Sequence, residues 1–159
     1  MKRKVKVGDG LRSNKIKRAI INLLGLFAWF APWKGFRMMF HKLRGTKIGK
    51  GAEIGYMVFI DNRRPELVNI EENATITSMC NILAHDLSMR YIDGTEIIGN
   101  TIIKAGAFVG MNSTIMPGVT IGKNCIIACG SVVTKDTEPN SVYGGVPAKL
   151  LKKIDGNLH

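Results

Sequence analysis

An aliphatic residue recurs at every sixth position between Ile103 and Glu138 of this chain. The series is Ile103, Val109, Ile115, Ile121, Ile127 and Val133. A spacing of six fits neither the 3.6-residue period of an α-helix nor the two-residue period of a single strand. The pattern therefore indicates a six-residue structural unit that is stacked many times.

A small residue follows each of the first five aliphatic residues by four positions, and glycine is frequent directly after them. The small residues are Ala107, Ser113, Val119, Cys125 and Ser131, and the glycines include Gly110 and Gly122. This combination is typical of a short strand followed by a tight corner, with both regular positions pointing inward. Because one hexad is too short to bury a core alone, the units must stack on one another. The sequence therefore predicts an all-β solenoid.

The same register occurs earlier in the chain, where it is interrupted twice. It is visible as Ile48, Ile54 and Ile60, and again as Ile70, Ile76 and Ile82. The interruptions are residues 61–69 and residues 83–96. We expect a basic and apolar N-terminal helical segment at 1–45, the solenoid at 46–138 with an excursion at 83–96, and a C-terminal loop and short helix at 139–159.

The composition fits one domain with a core of isoleucine and valine. The chain has 159 residues, of which 45% are apolar, and this leaves room for one core. Cys80 and Cys125 occupy the small inward position, which predicts buried thiols in a reducing compartment. Cys129 lies off that position, and no histidine is close to it in sequence, so we do not expect a catalytic thiol.

The charge of the chain is strongly positive and unevenly placed. The formal net charge is +11, and eight Lys or Arg residues lie within the first eighteen residues. This charge indicates an anionic partner, which is a phosphate-bearing cofactor, an anionic membrane or nucleic acid. The sequence has no helix-turn-helix, zinc spacing or aromatic stacking platform, so we expect no nucleic-acid partner.

Residues Ala19 to Ala31 form an apolar run that contains Asn22 and Gly25. Thirteen residues are too few to span a bilayer, and no small-x-small cleavage site follows, so we do not expect export. Two compatible interpretations remain for this run. It caps the first coil of the solenoid, or it lies at a membrane interface with its aromatic residues at headgroup depth. Those aromatic residues are Phe27, Trp29, Phe30, Trp33 and Phe36.

Of the three histidines in the chain, only His85 falls within the repeats. It stands where the hexads fail and a polar excursion begins. A titratable residue at the point where a coil opens into a loop is a candidate site, and imidazole titrates in the range of a general base. The alternative is a solvent-exposed loop histidine without a chemical role.

These features, together with a closing run, resemble the hexapeptide-repeat acyltransferases. The closing run is IMPGVTIG at 115–122, GSVVTKD at 130–136 and GGVPAK at 144–149. The resemblance covers about residues 46–154, and the galactoside, maltose and polysaccharide O-acetyltransferases are the most similar in pattern. It implies a left-handed parallel β-helix, a homotrimer with active sites between subunits, acetyl-CoA as the acyl donor, and no metal.

The resemblance also implies roles for individual residues. His85 corresponds to the catalytic histidine, which takes the proton from the acceptor hydroxyl as its oxygen attacks the thioester. The donor-binding positions are Met111 and Cys129 at the acetyl and pantetheine end, Thr134 and Lys135 at the nucleotide, and Lys149 and Lys152 at the CoA phosphate. Predicted acceptor contacts, from their place in the excursion alone, are Asp86, Arg90 and Tyr91.

The expected function is acetyl-CoA-dependent O-acetylation of a sugar hydroxyl, in surface polysaccharide or lipid-linked saccharide synthesis. We expect the enzyme in the cytoplasm, with a peripheral contact to the inner face of the cell membrane through its N-terminal segment. N-acylation of an amino-sugar nucleotide and a non-catalytic solenoid scaffold are the alternatives. A zinc hydratase on the same solenoid would need three histidine ligands, whereas the repeats offer one.

Overall fold

The described part of the chain, residues 2–6 and 15–154 of a computed structural model, is built around short strands that stack in parallel. Residues 1, 7–14 and 155–159, which include His159, are outside this part, and so are the sequence predictions that concern them. The strands form three faces, and the chain visits the faces in turn. This path, repeated coil after coil, is the solenoid that the six-residue period predicts.

Each face consists of strands from successive coils. Face 1 contains β2 (Lys47–Ile48), β5 (Val68–Ile70), β10 (Thr101–Ile103) and β13 (Thr120–Ile121). Face 2 contains β3 (Glu53–Ile54), β6 (Thr75–Ile76), β11 (Phe108–Val109), β14 (Ile126–Ile127), β16 (Ser141–Gly145) and β17 (Ala148–Lys153). Face 3 contains β4 (Phe59–Ile60), β7 (Asn81–Ile82), β12 (Thr114–Ile115) and β15 (Val132–Val133).

The aliphatic positions of the hexads form columns inside the solenoid. On face 3, for example, Ile60 pairs with Ile82, Ile82 with Ile115, and Ile115 with Val133. These four side chains are at most 1% exposed, and the small residues such as Cys80 and Cys125 are fully buried beside the columns. The predicted inward positions are therefore confirmed. Burial also raises the pKa of both thiols, so they remain protonated.

The corners between the faces depend on residues in the left-handed backbone region. The fourth residue of the regular hexads is glycine or asparagine, with φ between 53° and 72°. Glycine adopts this region without a Cβ clash, and asparagine tolerates it better than most residues. The residues concerned are Gly106, Asn112, Gly118, Asn124 and Gly130.

Both interruptions lie at the corner after face 3, which we call the third corner. The first contains a 3-10 turn at Pro65–Leu67. The second contains β8 (His85–Asp86) and α3 (Arg90–Asp93), and it continues in β9 (Thr95–Gly99), which extends beyond the predicted end at residue 96. Outside the solenoid, β9 pairs antiparallel with β8 on one side and with the N-terminal strand β1 (Lys2–Lys6) on the other. The strand β1 was not expected from the sequence.

Two helices cover the first coil, as the capping interpretation predicts. They are α1 (Lys15–Phe30), which contacts β4, and α2 (Lys34–Leu43), which contacts β2 and β3. Ala28 and His41 are buried beneath them, and the Trp29 ring lies 6.2 Å from the Phe59 ring. Within the described residues, no helix has both the length and the apolar character needed to cross a membrane.

The predicted C-terminal helix is wrong. Residues 148–153 instead form β17, which pairs antiparallel with β16, and β16 continues face 2 by pairing with β14. The hairpin gives the edge of the last coil a hydrogen-bonded partner, which an isolated helical turn would not do. Leu150 and Leu151, whose spacing favoured a helix, are 44% and 61% exposed and form no helical core face.

Candidate functional site

A buried carboxylate and a histidine meet at the third corner. Asp61 is the first residue after β4, and His85 begins β8 at the start of the second interruption. Because Ile60 and Ile82 are paired, the two interruptions begin side by side. The His85 Nδ1 atom lies 2.6 Å from Asp61 Oδ2, and the Asp61 side chain is fully buried.

Backbone N–H groups hold the Asp61 carboxylate from both interruptions. Oδ2 accepts hydrogen bonds from the backbone of Ala84 at 2.7 Å and of His85 at 2.9 Å. Oδ1 accepts from the backbone of Arg63 and of Arg64, each at 2.9 Å. With His85 Nδ1, five N–H groups therefore point at one carboxylate, which fixes its orientation as well as its charge.

The ionisation of Asp61 results from two opposed effects. Burial on its own raises the pKa of this carboxyl, because a charge in a low-dielectric interior is poorly solvated. The hydrogen bonds from His85 and from the backbone of Ala84 and Arg64 outweigh that cost, and the pKa of Asp61 lies below its usual value. Asp61 is therefore a carboxylate at neutral pH.

The Asp61 contact decides what the His85 ring can do. A carboxylate accepts only, so Nδ1 carries the hydrogen and the lone pair of the neutral ring is on Nε2. Nε2 has no hydrogen-bond partner among residues 2–6 and 15–154, and the side chain is 15% exposed. The arrangement resembles the carboxylate and imidazole of a catalytic triad, in which a fixed ring accepts a proton at Nε2. It can perform general-base chemistry.

The end of α2 supports the same corner from behind. Arg44 Nη2 donates to the carbonyl oxygens of Ile60 at 2.9 Å and Asp61 at 3.2 Å. Arg44 Nη1 lies 3.1 Å from His41 Nδ1. Burial, and then the Arg44 cation, lower the pKa of His41 to about 3, so His41 is neutral and accepts this hydrogen bond. Burial also lowers the pKa of Arg44, while Asp61 opposes that shift.

A second buried carboxylate ties the excursion to the solenoid. Glu96 of β9 is 1% exposed, and its Oε2 lies 3.7 Å from Arg63 Nη1. Its other oxygen, Oε1, and Arg63 Nε have no hydrogen-bond partner within the described residues. Arg63 also donates its backbone N–H to Asp61. Arg63 of the first interruption therefore contacts both the Asp61 carboxylate beside His85 and the strand β9 of the excursion.

Sequence reasoning missed Asp61, Arg44 and Glu96. For Asp61 a signal exists, because the first interruption begins directly after Ile60, just as the second begins after Ile82. Two interruptions in one column of a solenoid must lie at the same corner. For Arg44 and Glu96 the sequence carries no such signal, since each is one charged residue in a segment that the hexads do not describe.

The residues predicted at the acetyl and pantetheine end lie together on the corner after face 2. Met111 and Cys129 follow β11 and β14 in adjacent coils, and the Gly130 N–H donates to the Met111 carbonyl at 2.8 Å. Both side chains are exposed. A Cβ on Gly110 would lie 2.6 Å from the Cys129 nitrogen, so glycine is needed for this close stacking.

The remaining predicted donor residues lie in two separate places. Thr134 and Lys135 follow β15 at the third corner, in the column that begins with Asp61. The Thr134 carbonyl accepts a hydrogen bond from Lys2 Nζ at 3.3 Å. Lys149 and Lys152 are exposed on β17 of the C-terminal hairpin.

The residues predicted to contact the acceptor all lie on the excursion. Asp86 follows His85 in β8 and accepts a hydrogen bond from the Ser88 N–H at 2.8 Å. Arg90 and Tyr91 are exposed on α3, and Tyr91 is 90% exposed. Within the part of the chain that the structure describes, no group of three His, Cys, Asp or Glu side chains is arranged to hold a metal ion.

Comparison with known proteins agrees with this architecture. The family described as bacterial transferase hexapeptide (six repeats) matches residues 100–135. The maltose O-acetyltransferase from Clostridium difficile 630 has a similar structure, with a TM-score of 0.70 over 90% of both chains at 21% identity. A hexapeptide-repeat acetyltransferase from Vibrio cholerae, solved with acetyl-CoA, has a TM-score of 0.70 over 93% of both chains at 20% identity. At these identities the likeness shows the fold.

A sequence relative shows the family. The putative acetyltransferase YvoF of Bacillus subtilis is 30% identical over 125 residues, which are 78% of this chain and 70% of that protein. Other curated acetyltransferases align over about a third of their own length, 31% and 30% in two cases. The long alignment, the matching repeat family and the shared fold agree, and the chain belongs to the hexapeptide-repeat acetyltransferases.

Proposed function

We propose that the protein transfers the acetyl group of acetyl-CoA to a sugar hydroxyl, with His85 as the general base. The acceptor belongs to surface polysaccharide or lipid-linked saccharide synthesis, which is the setting of the polysaccharide O-acetyltransferases that the sequence resembles. The observation that carries the proposal is the 2.6 Å contact between His85 Nδ1 and the buried Asp61 carboxylate. It leaves Nε2 as the one ring nitrogen that can accept a proton.

The chemistry follows from this pair of side chains. Nε2 of His85 takes the proton of the acceptor hydroxyl while the hydroxyl oxygen attacks the thioester carbonyl. A C–O bond forms, and a backbone N–H stabilises the negative charge on the tetrahedral oxygen. The C–S bond then breaks, and the imidazolium returns its proton to the CoA sulfur. Asp61 keeps the ring in the required tautomer and stabilises the imidazolium while it exists.

Donor binding is proposed at the two corners that flank face 3 and at the C-terminal hairpin. Backbone groups at Met111 and Cys129 are proposed to contact the acetyl and pantetheine end, with Thr134 and Lys135 at the nucleotide. Lys149 and Lys152 are proposed to contact the CoA phosphate. Lysine supplies charge without the bidentate geometry of arginine, so the affinity for acetyl-CoA is expected to fall with salt.

The proposal includes a left-handed coil and a homotrimer, with each site in a cleft between neighbouring subunits. One subunit then contributes His85, and the cleft brings donor residues of a neighbour to it. Asp86, Arg90 and Tyr91 are proposed to contact the acceptor, because they lie on the same excursion as His85. We expect the enzyme in the cytoplasm, where acetyl-CoA is made, and at the inner face of the cell membrane.

His85 variants test the proposal, with CoA release from acetyl-CoA measured against a panel of sugars, nucleotide sugars and glycolipids. His85→Ala removes the ring, whereas His85→Asn keeps an N–H in place of Nδ1–H for Asp61 and removes only the base. Both are expected to lower transfer by about 10²- to 10⁴-fold. The trimer, measured by sedimentation, and the thermal shift with acetyl-CoA should be unchanged.

Two results would contradict the proposal. Transfer by His85→Asn at the wild-type rate would remove His85 from the base role. A wild-type chain that shows no thermal shift with acetyl-CoA would favour the solenoid scaffold. Product analysis with an amino sugar in the panel separates O-acetylation from N-acylation.

A further inference from the structure

The outer side of the two N-terminal helices is an exposed aromatic and aliphatic surface. We call it the outer face and define it by residues that are 46–68% exposed: Leu23, Phe27, Phe30, Trp33 and Phe36. On α1 the members follow helical spacing, so they form one stripe opposite the buried Gly25 and Ala28. A groove of about 630 Å³ runs through this face, and all of its lining side chains are apolar. The face is larger than the isolated apolar residues that normally occur on a protein surface.

The aromatic rings of the outer face support one another. The Phe27 and Phe40 rings are stacked with centroids 5.6 Å apart, and Trp33 and Phe36 are also 5.6 Å apart. The opposite sides of both helices pack on the first coil, with α1 on β4 and α2 on β2 and β3. The outer face is therefore a formed surface with its apolar side chains held in place.

The charges around this face are mostly positive, and Glu53, which pairs with Lys34 of α2 at 2.6 Å, is the exception. Between Lys15 and Ala52 the sequence contains no aspartate or glutamate. Lys15, Lys17 and Arg18 are exposed on the first turn of α1, and Lys42 is exposed near the end of α2. Apolar and aromatic residues bordered by cations are typical of helices that lie in the interface of an anionic bilayer. A second copy of the chain would bring like charges together, and its affinity for this face would be reduced by that repulsion.

The first-coil part of the third corner, where Asp61 lies, is at the same end of the molecule as the outer face. Arg44, directly after α2, donates to the Asp61 carbonyl, and Trp29 of α1 packs against Phe59 of β4. A second groove of about 220 Å³ connects α1 to the first interruption, and Leu26 lines both grooves. Its lining is mixed, since Leu26, Trp29 and Phe59 are apolar and Asn22, Arg44 and Asn62 are polar. Asn62 is the residue next to Asp61.

We infer that the outer face docks on an anionic membrane surface and presents the third corner to acceptors held in that membrane. Neither helix spans the bilayer, since α1 has sixteen residues and a span needs about 20. The aromatic rings lie at headgroup depth, and the lysines and Arg18 contact lipid phosphates. The statement about acceptors rests on the proposed function, whereas membrane docking does not.

Vesicle binding tests the inference without any turnover. The full chain is sedimented with vesicles of phosphatidylglycerol and phosphatidylcholine, and with phosphatidylcholine alone. We expect binding to the anionic vesicles and little to the neutral ones. Phe30→Ser with Trp33→Ser removes two residues that are each 68% exposed and should lower binding by about a hundredfold. Ile92→Ser, which removes a 77% exposed apolar residue on α3, is the matched control and should bind as the wild type does.

Charge and depth are tested separately. Lys15→Gln with Lys17→Gln and Arg18→Gln should lower binding to the anionic vesicles by roughly a hundredfold. Brominated lipid should quench the fluorescence of Trp33, and Trp33→Ser should abolish most of that quenching.

Three outcomes would overturn the inference. They are a folded trimer that does not bind anionic vesicles, binding without Trp33 quenching, and an assembly larger than a trimer that Phe30→Ser with Trp33→Ser dissociates. The last would make the outer face a contact between copies. All three are read without acetyl transfer, so a failure of docking is distinct from a failure of the proposed O-acetyltransferase activity.

Discussion

The regular coils from β10 to β15 and the interrupted coils before them use the same hexads but bury different side chains. Within residues 101–133 the buried polar residues are Thr101, Ser113 and Ser131, whose hydroxyl groups bond to the backbone of the solenoid. In the interrupted part, Asp61 and Glu96 are buried as well, and His85 is nearly so. Within the described solenoid, buried acidic side chains and the nearly buried His85 imidazole thus occur where the repeat fails.

The backbone explains this difference. In a regular coil each strand N–H donates to the neighbouring coil, as the Met116 N–H does to the Val133 carbonyl. The interruptions take Ala84, His85, Arg63 and Arg64 out of that ladder, and their N–H groups donate to Asp61 instead. A buried carboxylate needs several such donors. An interruption therefore supplies backbone N–H groups that are free to bind a carboxylate, which an unbroken solenoid lacks. In exchange, some stacking between neighbouring coils is lost.

The largest expected effect of a single change is on activity, at Asp61. Asp61→Asn should lower kcat/KM by about 10²- to 10⁴-fold, because the amide no longer stabilises the imidazolium and no longer fixes the His85 tautomer. The pH–rate profile of Asp61→Asn should also differ in shape from that of the wild type, because Asp61 positions His85, the proposed base. Glu71→Gln is the matched control, since Glu71 is also a corner carboxylate that accepts a backbone N–H, from Ala105 at 3.1 Å. Equal loss of activity in both variants would show that Asp61 acts only on the fold.

The next effect is on stability, in the regular coils. Ile115→Ala removes a fully buried column residue and should lower the free energy of unfolding by about 2–5 kcal/mol. Ile92→Ala on the excursion, 77% exposed, should change it by less than about 0.5 kcal/mol. Urea denaturation at one fixed protein concentration measures both. A comparable loss in the two variants would mean that the excursion is part of the core.

A smaller effect separates two glycines. Gly110→Ala puts a Cβ 2.6 Å from backbone atoms of the next coil, and should cost about 1–3 kcal/mol of stability. Gly94→Ala, after α3, meets no atom within 4 Å but has a φ of +72°, so strain alone should cost about 1 kcal/mol. The melting temperatures of the two variants measure the difference. A larger loss of stability for Gly94→Ala than for Gly110→Ala would contradict the conclusion that the backbone is packed more closely between the coils than at the end of α3.

The sequence was informative where structure repeats and uninformative where a partner is distant. The six-residue period predicted every column, because the same inward position recurs in each hexad. It also located His85, because the loss of a strong period is itself visible. The Asp61 contact joins residues 24 apart in the chain, and β1 pairs with β9 over a longer separation, with Lys6 opposite Thr95. Such pairings depend on register between coils, which one hexad does not encode.

The prediction of a C-terminal helix was wrong for a related reason. The pattern of Leu150, Leu151 and Ile154 fits a helix when the segment is considered alone. The open edge of face 2 decides otherwise, because β16 pairs with β14 and then offers its own free edge to β17. Roles for Lys149 and Lys152 at CoA phosphate stay a prediction, now with both residues on a strand.

The pH dependence of stability distinguishes the helical cap from the third corner. The pKa of buried His41 is lowered to about 3, whereas an unfolded histidine titrates near 6.5. Below about pH 6.5 the unfolded chain therefore binds a proton at this residue that the folded chain does not, and at pH 5 this should lower stability by about 2 kcal/mol. Asp61, with its lowered pKa, should contribute nothing over this interval. Its stabilisation is present above the unfolded value near 3.9 and is lost only as the pH falls through the folded value.

His41→Gln tests this assignment, because glutamine still offers an oxygen to Arg44 but does not titrate. The free energy of unfolding is measured in urea at pH 7 and pH 5 for this variant, for Asp61→Asn and for the wild type. The loss between the two pH values should be smaller in His41→Gln by about 2 kcal/mol and unchanged in Asp61→Asn. If the wild-type loss persisted in His41→Gln, His41 would be solvated in solution and the cap over the first coil would be open. Arg44 contacts both His41 and the backbone carbonyl of Asp61. An open cap would therefore also release the backbone of Asp61, whose side-chain carboxylate the proposed chemistry needs.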